Sequence, residues 1–329
     1  MSRLAPTREA FFTDRLIRER NASPNTIAAY RDTMRLLLAF ASERLVTEPS
    51  RIDLGDLDAP LIGSFLEHLE RDRGCGPKTR NSRLTAIRSL YRYAARRHPE
   101  HAAVIERVLA IPPKRHGKPL ITFLTEPETD ALIAAADTST WTGRRDQAML
   151  MLAAQTGLRA SELVGLAVGD VHLGTGAQVS CTGKGRKQRI TPLTKTTTTM
   201  VRAWLDERGG AHSDPLFPTS RGRQLSRDAL EQRLAKHADA AAQCCPSIAT
   251  KRVTPHVLRH TAAMRLLHAG IDTTVIALWL GHEQVETTQI YLHADLKIKE
   301  QALARTTPPN GKPGRYRPPD PLLAFLEGL

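Results

Sequence analysis

Apolar residues recur every three to four positions through the first hundred residues, a spacing that predicts helices packed along one stripe. Thr7–Arg20 is amphipathic, and Ser23-Pro24 is a cap followed by proline that predicts a helix start. The helix that follows places Ile27, Tyr30, Met34, Leu37 and Leu38 on one side. Ala59–Arg73 and Lys78–His98 come next, separated by Gly74-Cys75-Gly76-Pro77. In the later one, Leu84, Ile87, Leu90, Tyr91 and Ala94 face inward, while Arg83, Arg88, Arg92 and Arg96 lie off that stripe. Residues 1–112 therefore predict a small domain of four or five helices. Residues 113–119, within the proline-rich Ile111–Pro119, have the composition of a linker.

A second domain, 120–307, is predicted beyond it. Thr125-Glu-Pro-Glu128 is a capping box opening a helix through Ala136. Helices over Arg144–Gln155 and Ala160–Val168 follow. Ala177–Leu193 alternates with period two around Gly183-Lys184-Gly185, as a β-hairpin does. From Ser226 to Arg305 the helical spacing returns. Residues 308–329 are rich in proline and glycine and end in the apolar Leu322–Leu326. That end is expected to dock on this chain or a neighbour, because free apolar ends promote aggregation. The fold class predicted is mainly α with a small β-hairpin.

Charge narrows the possible partners. The 329 residues carry 47 Lys and Arg against 34 Asp and Glu, a formal charge of +13. Thirteen basic residues and three acidic ones fall between Arg71 and Lys118, so most of the excess sits in one window. Such a concentration points to a polyanion, and nucleic acid held through its phosphates fits best. Arg80, Arg83, Arg88, Arg92, Arg96, Lys114, Arg115 and Lys118 are the candidate contacts there, with Arg186, Lys187 and Arg189 in the hairpin. No apolar stretch approaches the roughly 20 residues of a membrane span, and the start lacks the apolar core of a secretory signal. A cytoplasmic, nucleoid-associated protein is expected. Cys75, Cys181, Cys244 and Cys245 form no C-x-x-C unit and read as reduced thiols.

Three local patterns carry chemistry. In Thr156-Gly-Leu-Arg-Ala-Ser-Glu-Leu163, Gly157 ends one helix and leaves Arg159 just before the next, with Glu162 a turn further on. In Thr254-Pro-His-Val-Leu-Arg-His260, Thr254 and Pro255 have the composition of N-cap and first helical residue. His256 and Arg259 then share a face near an anion-friendly helix start. His260 points about 100° away from Arg259 and reads as a buried hydrogen-bonding histidine. In the third, Gly281 ends a helix, His282 follows, and Tyr291 lies nine residues beyond that His.

This ordered set resembles the tyrosine recombinases, or phage integrases, including the Xer-type resolvases. The resemblance covers about 300 residues: T-G-L-R-x-S-E-L, a G-K-G hairpin, H-x-L-R-H, L-G-H and the tyrosine. It implies a helical core-binding (SAM-like) domain followed by an α+β catalytic domain. It also implies an active site of Arg159, Lys184, His256, Arg259, His282 and Tyr291. The implied activity is site-specific DNA strand exchange through a 3′-phosphotyrosyl intermediate. Double-stranded DNA is the implied partner, and a homotetramer, or a hetero-tetramer with related recombinases, the implied assembly. The 38 residues beyond Tyr291 lean towards an integrase or transposase of a mobile element. A type IB topoisomerase-like activity and a non-catalytic DNA-binding regulator remain the alternatives.

The residues suit that chemistry. A phenol with a pKa near 10 is only about 0.1% ionised at pH 7, so Tyr291 needs a base or a cationic site. Arg159 and Arg259 can stabilise charge on non-bridging phosphate oxygens. His256 and His282 can donate to those oxygens or accept the tyrosine proton. Lys184 can protonate the departing 5′-oxygen, with Lys187 its rival, and Glu162 can orient a neighbouring side chain. No cofactor or metal is expected: there is no carboxylate cluster for Mg²⁺ and no phosphate-binding loop for ATP. His282 and His293 are eleven residues apart without a suitable third ligand.

Overall fold

The computed structural model describes residues 4–117, 121–183, 187–282, 288 and 291. The chain divides into two compact units, residues 1–118 and 119–329. The first is helical. Helix α1 (Leu4–Ala10) runs on with wider, π-type turns over Phe11–Glu19. Helix α2 (Pro24–Leu45) starts at Ser23, whose hydroxyl accepts from Thr26 N–H. Helix α3 (Ala59–Arg71) is capped by Asp58, and α4 (Pro77–Ala94) and α5 (Ala102–Ala110) complete the unit. Their buried stripes bring Phe11, Leu37, Phe65, Leu90, Tyr91 and Val108 into one core. Tyr91 satisfies its buried hydroxyl by donating to the Leu57 carbonyl.

Two of the arginines expected to contact DNA hydrogen-bond within this fold. Arg80 is 7% exposed and its Nη1 donates to the Pro112 carbonyl at 3.2 Å. Arg88 donates to the Ile111 carbonyl. Between them, Asn81 donates to the Lys114 carbonyl at 2.7 Å and accepts from Lys114 N–H at 2.9 Å. These bonds fasten residues 111–114 along α4, so the first part of the expected linker is tied down. Asn81 and Arg88, seven residues apart, fall on one face of α4, and Arg80 adjoins Asn81 in the chain. Lys114 pairs with Glu70 at 2.7 Å. Arg83 is half-buried, Arg92, Arg96 and Arg115 are exposed, and Lys118 lies outside the described residues.

The second unit opens with α6 (Glu126–Ala134) on a full capping box of Thr125 and Glu128. Helix α7 (Trp141–Thr156) is its buried centre, followed by the short α8 (Ala160–Gly165). The hairpin is present as β2 (Gln178–Thr182) and β3 (Gln188–Pro192), joined by a further short strand, β1 (Val171–His172). All three pair antiparallel in the order β1-β2-β3, with Cys181 opposite Arg189. Helix α9 (Lys195–Arg208) starts in four threonines, whose β-branched side chains hide it from a propensity reading. Thr194 caps it, and Val201 and Trp204 anchor it to the core. Helices α10 (Arg227–Ala241), α11 (Pro255–His268) and α12 (Thr273–Leu280) follow.

One buried polar network holds α7 to α10. Asp146 accepts from Arg145 at 2.6 and 3.0 Å, from Arg233 at 2.9 Å and from His237 at 3.0 Å. Arg145 Nη1 donates to the Pro218 carbonyl at 2.7 Å. Every ionised group in this network has its partner, as burial in low dielectric demands. A separate apolar cluster of Ala263, Met264, Ile276, Leu280 and Tyr291 forms where α11 meets α12. The candidate site lies against that cluster.

Candidate active site

Two left-handed glycines set the geometry. Gly157 ends α7 at φ +64°, and a Cβ there would lie 2.7 Å from Leu280 Cδ2 and 3.0 Å from Ala262 Cβ. Only glycine permits both the turn and this approach of α7 to α11 and α12. Gly281 ends α12 at φ +66°, with Arg189 packed where its side chain would be. The two helix ends leave carbonyl groups without intrahelical partners, and a buried and a half-buried arginine take them up. Arg259, 5% exposed, donates to the Gly157 carbonyl and the Leu280 carbonyl, both at 2.7 Å. Arg159 Nη2 donates to the Gly281 carbonyl at 2.8 Å.

Glu162 organises the cations. It accepts from Arg159 N–H and Nη1, each at 2.7 Å, and from Arg189 Nη1 at 2.9 Å and Nη2 at 2.7 Å. Burial alone would raise its pKa. The bonds from Arg189 and the Arg159 backbone outweigh burial and bring it down to about 2. Glu162 thus bonds both guanidinium groups at once. Arg189, a candidate phosphate contact from the sequence, has a side chain 10% exposed and joined to Glu162 as a bidentate pair. Alternation along β3 explains this, because Arg189 and Thr191 turn inward and send Ile190, 61% exposed, to the surface.

The tyrosine and histidines lie beside these cations. Tyr291 is 1% exposed, with its ring parallel to that of His282 at 6.5 Å between centroids. Its hydroxyl is 3.0 Å from His260 Nδ1. Burial raises the Tyr291 pKa, and the Arg259 charge pulls the other way. His282 Nδ1 is 2.7 Å from Thr288 Oγ1. Burial, then the Arg259 and Arg159 charges, bring the pKa of His282 down to about 4. His260 is lowered to about 4 as well, by burial and then by His256 and Arg259. Both imidazoles are therefore neutral at pH 7 and can accept protons. Arg259 is lowered to about 10 by burial and by Arg159, and stays charged at neutral pH.

Of the residues expected in the site, Arg159, Glu162, Arg259, His282 and Tyr291 gather about the Gly281 turn. His256 is exposed in the first turn of α11, with its ring 6.5 Å from that of His260. Lys184 and Arg186 lie outside the described residues. Lys187 is exposed beside a cleft of about 230 Å³ that Gly183, Arg189, Leu278, Gly281 and His282 also line. His260 is the residue that sequence reading left out of the site. Measured from Arg259 it turns away, but four residues from His256 it returns to within about 40° of that residue's direction. The H-x-x-x-H spacing was the available signal.

The site pairs a shielded phenol with neutral imidazoles and fixed guanidinium groups, a combination that can bind an anion and activate an oxygen nucleophile. Among the described residues, no group of three or more His, Cys, Asp or Glu side chains could hold a metal ion. Likewise, no helix there is long and apolar enough to cross a membrane.

The comparisons with known proteins converge. The Phage integrase family profile matches residues 122–297, and the profile of the phage integrase N-terminal SAM-like domain matches residues 10–98. A Sinorhizobium fredii protein named "Putative integrase/recombinase y4rC" is 56% identical over 326 residues, 99% of this chain and 98% of its own. Tyrosine recombinase XerD of Pseudomonas putida is 34% identical over 307 residues, 91% of this chain and 96% of its own. The XerH site-specific recombinase, bound to palindromic difH substrate in a post-cleavage complex, shares the fold. Its TM-score is 0.70 at 22% identity, over 87% of this chain and 81% of that one. The Tn1549 transposon integrase in complex with a circular intermediate DNA does so at 0.67 and 16% identity, over 90% and 98% of the two chains. With its ordered motifs meeting at one turn and both domain profiles matched in sequence, the chain belongs to the phage integrase family, the tyrosine-type site-specific recombinases.

Proposed function

We propose that this chain cuts and rejoins duplex DNA at a specific site by forming a 3′-phosphotyrosyl bond on Tyr291. The carrying observation is the buried Tyr291 hydroxyl, set among His260, His282 and the Arg259 charge at the Gly281 turn. Arg159 and Arg259 stabilise the charge that grows on the non-bridging oxygens of the scissile phosphate. His256 and His282 donate to those oxygens or accept the proton that Tyr291 gives up, Lys184 protonates the departing 5′-oxygen, and Glu162 holds Arg159 in place. The new ester keeps the energy of the broken phosphodiester, so a 5′-hydroxyl can reverse the step without a nucleotide, and no step passes through a metal.

The helical unit, residues 1–112 in this reading, and the catalytic unit, 120–307, both contact the duplex across the 113–119 linker. Arg92, Arg96, Arg115 and Lys187 are exposed and suited to phosphate. Each site cuts one strand, so exchange between two duplexes calls for four protomers. Residues 308–329 provide a contact between them.

The test uses DNA flanking the protein's own gene, in EDTA and without nucleotide, followed by denaturation and electrophoresis. A denaturation-resistant protein–DNA adduct is expected, lost in Tyr291→Phe while DNA binding persists. Bound DNA that yields no adduct with the unaltered protein overturns the reading in favour of a non-catalytic binder. Adducts that only relax supercoiled DNA lacking any recombination site favour topoisomerase-like action.

A further inference from the structure

We propose that His260 is the positioning residue of Tyr291: its Nδ1 accepts the tyrosine hydrogen bond and thereby sets the direction of the attacking oxygen. This rests on the reading of Tyr291 as nucleophile. The hydroxyl lies 3.0 Å from Nδ1, and the two rings meet edge to face at 65° and 5.6 Å between centroids. The tyrosine ring is bedded in Ala263, Met264, Ile276 and Leu280 and is 1% exposed. What is left to fix is rotation about the Cζ–O bond, which decides where the oxygen lone pairs point. A buried hydroxyl needs a partner, and Nδ1 supplies it from the side of α11.

The groups facing His260 keep that acceptor available. Its ring lies 6.5 Å from that of His256, and Arg259 is its chain neighbour, so both disfavour a proton on the imidazole in addition to burial. With the ring proton on Nε2, Nδ1 offers its lone pair to the phenol. The Tyr291 hydrogen then points at α11, and the oxygen lone pairs remain for phosphorus. In a site where misplacement by about 1 Å costs about 10²-fold in rate, such an anchor shows in the attack step and not in DNA binding.

The measurement is the rate of covalent complex formation at saturating nicked DNA, beside DNA affinity and melting temperature, for His260→Ala, His260→Asn and His260→Gln. Asparagine places an amide acceptor near the Nδ1 position, whereas glutamine reaches only towards Nε2. Ala and Gln are expected to slow the adduct at least tenfold (about 1.4 kcal/mol) with unchanged affinity, and Asn to stay within about threefold of the unaltered protein. Adduct formation by His260→Ala at the unaltered rate overturns the proposal, and so does an Asn variant as slow as Ala and Gln. Absence of any adduct from unaltered protein on bound DNA is a different result, and it removes the nucleophile reading itself.

Discussion

Replacing Glu162 by Gln tests the electrostatic frame of the site directly. The carboxylate is 7% exposed and accepts four hydrogen bonds, three from guanidinium nitrogens. A carboxyl held at about 2 instead of 4.5 contributes roughly 3 kcal/mol to folding. Breaking one side of a buried pair costs about 3–5 kcal/mol, which agrees. Glutamine keeps the shape, but one acceptor oxygen becomes an NH₂ group facing a guanidinium, and the counter-charge of Arg189 is lost. At about 2–4 °C per kcal/mol for a domain of this size, the catalytic unit should melt roughly 6–12 °C lower at pH 7.

The pH dependence has a definite sign. The folded-state pKa is depressed, so the stabilisation is complete above the unfolded-chain value of 4.5 and fades as pH falls through about 2. Thermal unfolding followed by circular dichroism should therefore show the two proteins converging across that window. The double variant Glu162→Gln, Arg189→Met removes the stranded cation and should recover about half of the loss. A single variant melting within about 1 °C of the unaltered protein at pH 7, or a deficit unchanged at low pH, would refute the assignment of Glu162 as an ionised clamp.

Three further outcomes are expected. Gly157→Ala forces a Cβ into 2.7 Å contact with Leu280 at φ +64° and should destabilise the catalytic unit by at least about 1–2 kcal/mol in urea titration. Arg96→Ala should weaken DNA binding and lower the salt slope by about one phosphate contact. Arg80→Ala should instead leave that slope unchanged and lower the melting temperature, because Arg80 holds the Pro112 carbonyl inside the helical unit.

Helix ends were legible because they are local chemistry. Ser23, Thr125 and Thr254 each accept from the backbone N–H three residues on, and Gly157 and Gly281 adopt left-handed turns that other residues resist. The fold class and the family motifs depend on such signals, so they could be read along the chain. Helix α9 was hidden, since four threonines disfavour a helix that Val201 and Trp204 secure by packing.

Sequence alone therefore determined the fold class, many of the helix ends and the ordered family motifs. Only the tertiary structure decided which arginines face solvent and which bond to carbonyl and carboxylate groups of the protein itself. Arg80 and Arg88 hold chain leaving the helical unit, Arg189 pairs with Glu162, and Arg259 joins the ends of α7 and α12. A guanidinium reads identically in sequence wherever it lies. Its partners come from segments up to 122 residues away, and the desolvation that makes those partners obligatory arises only when the helices close around them.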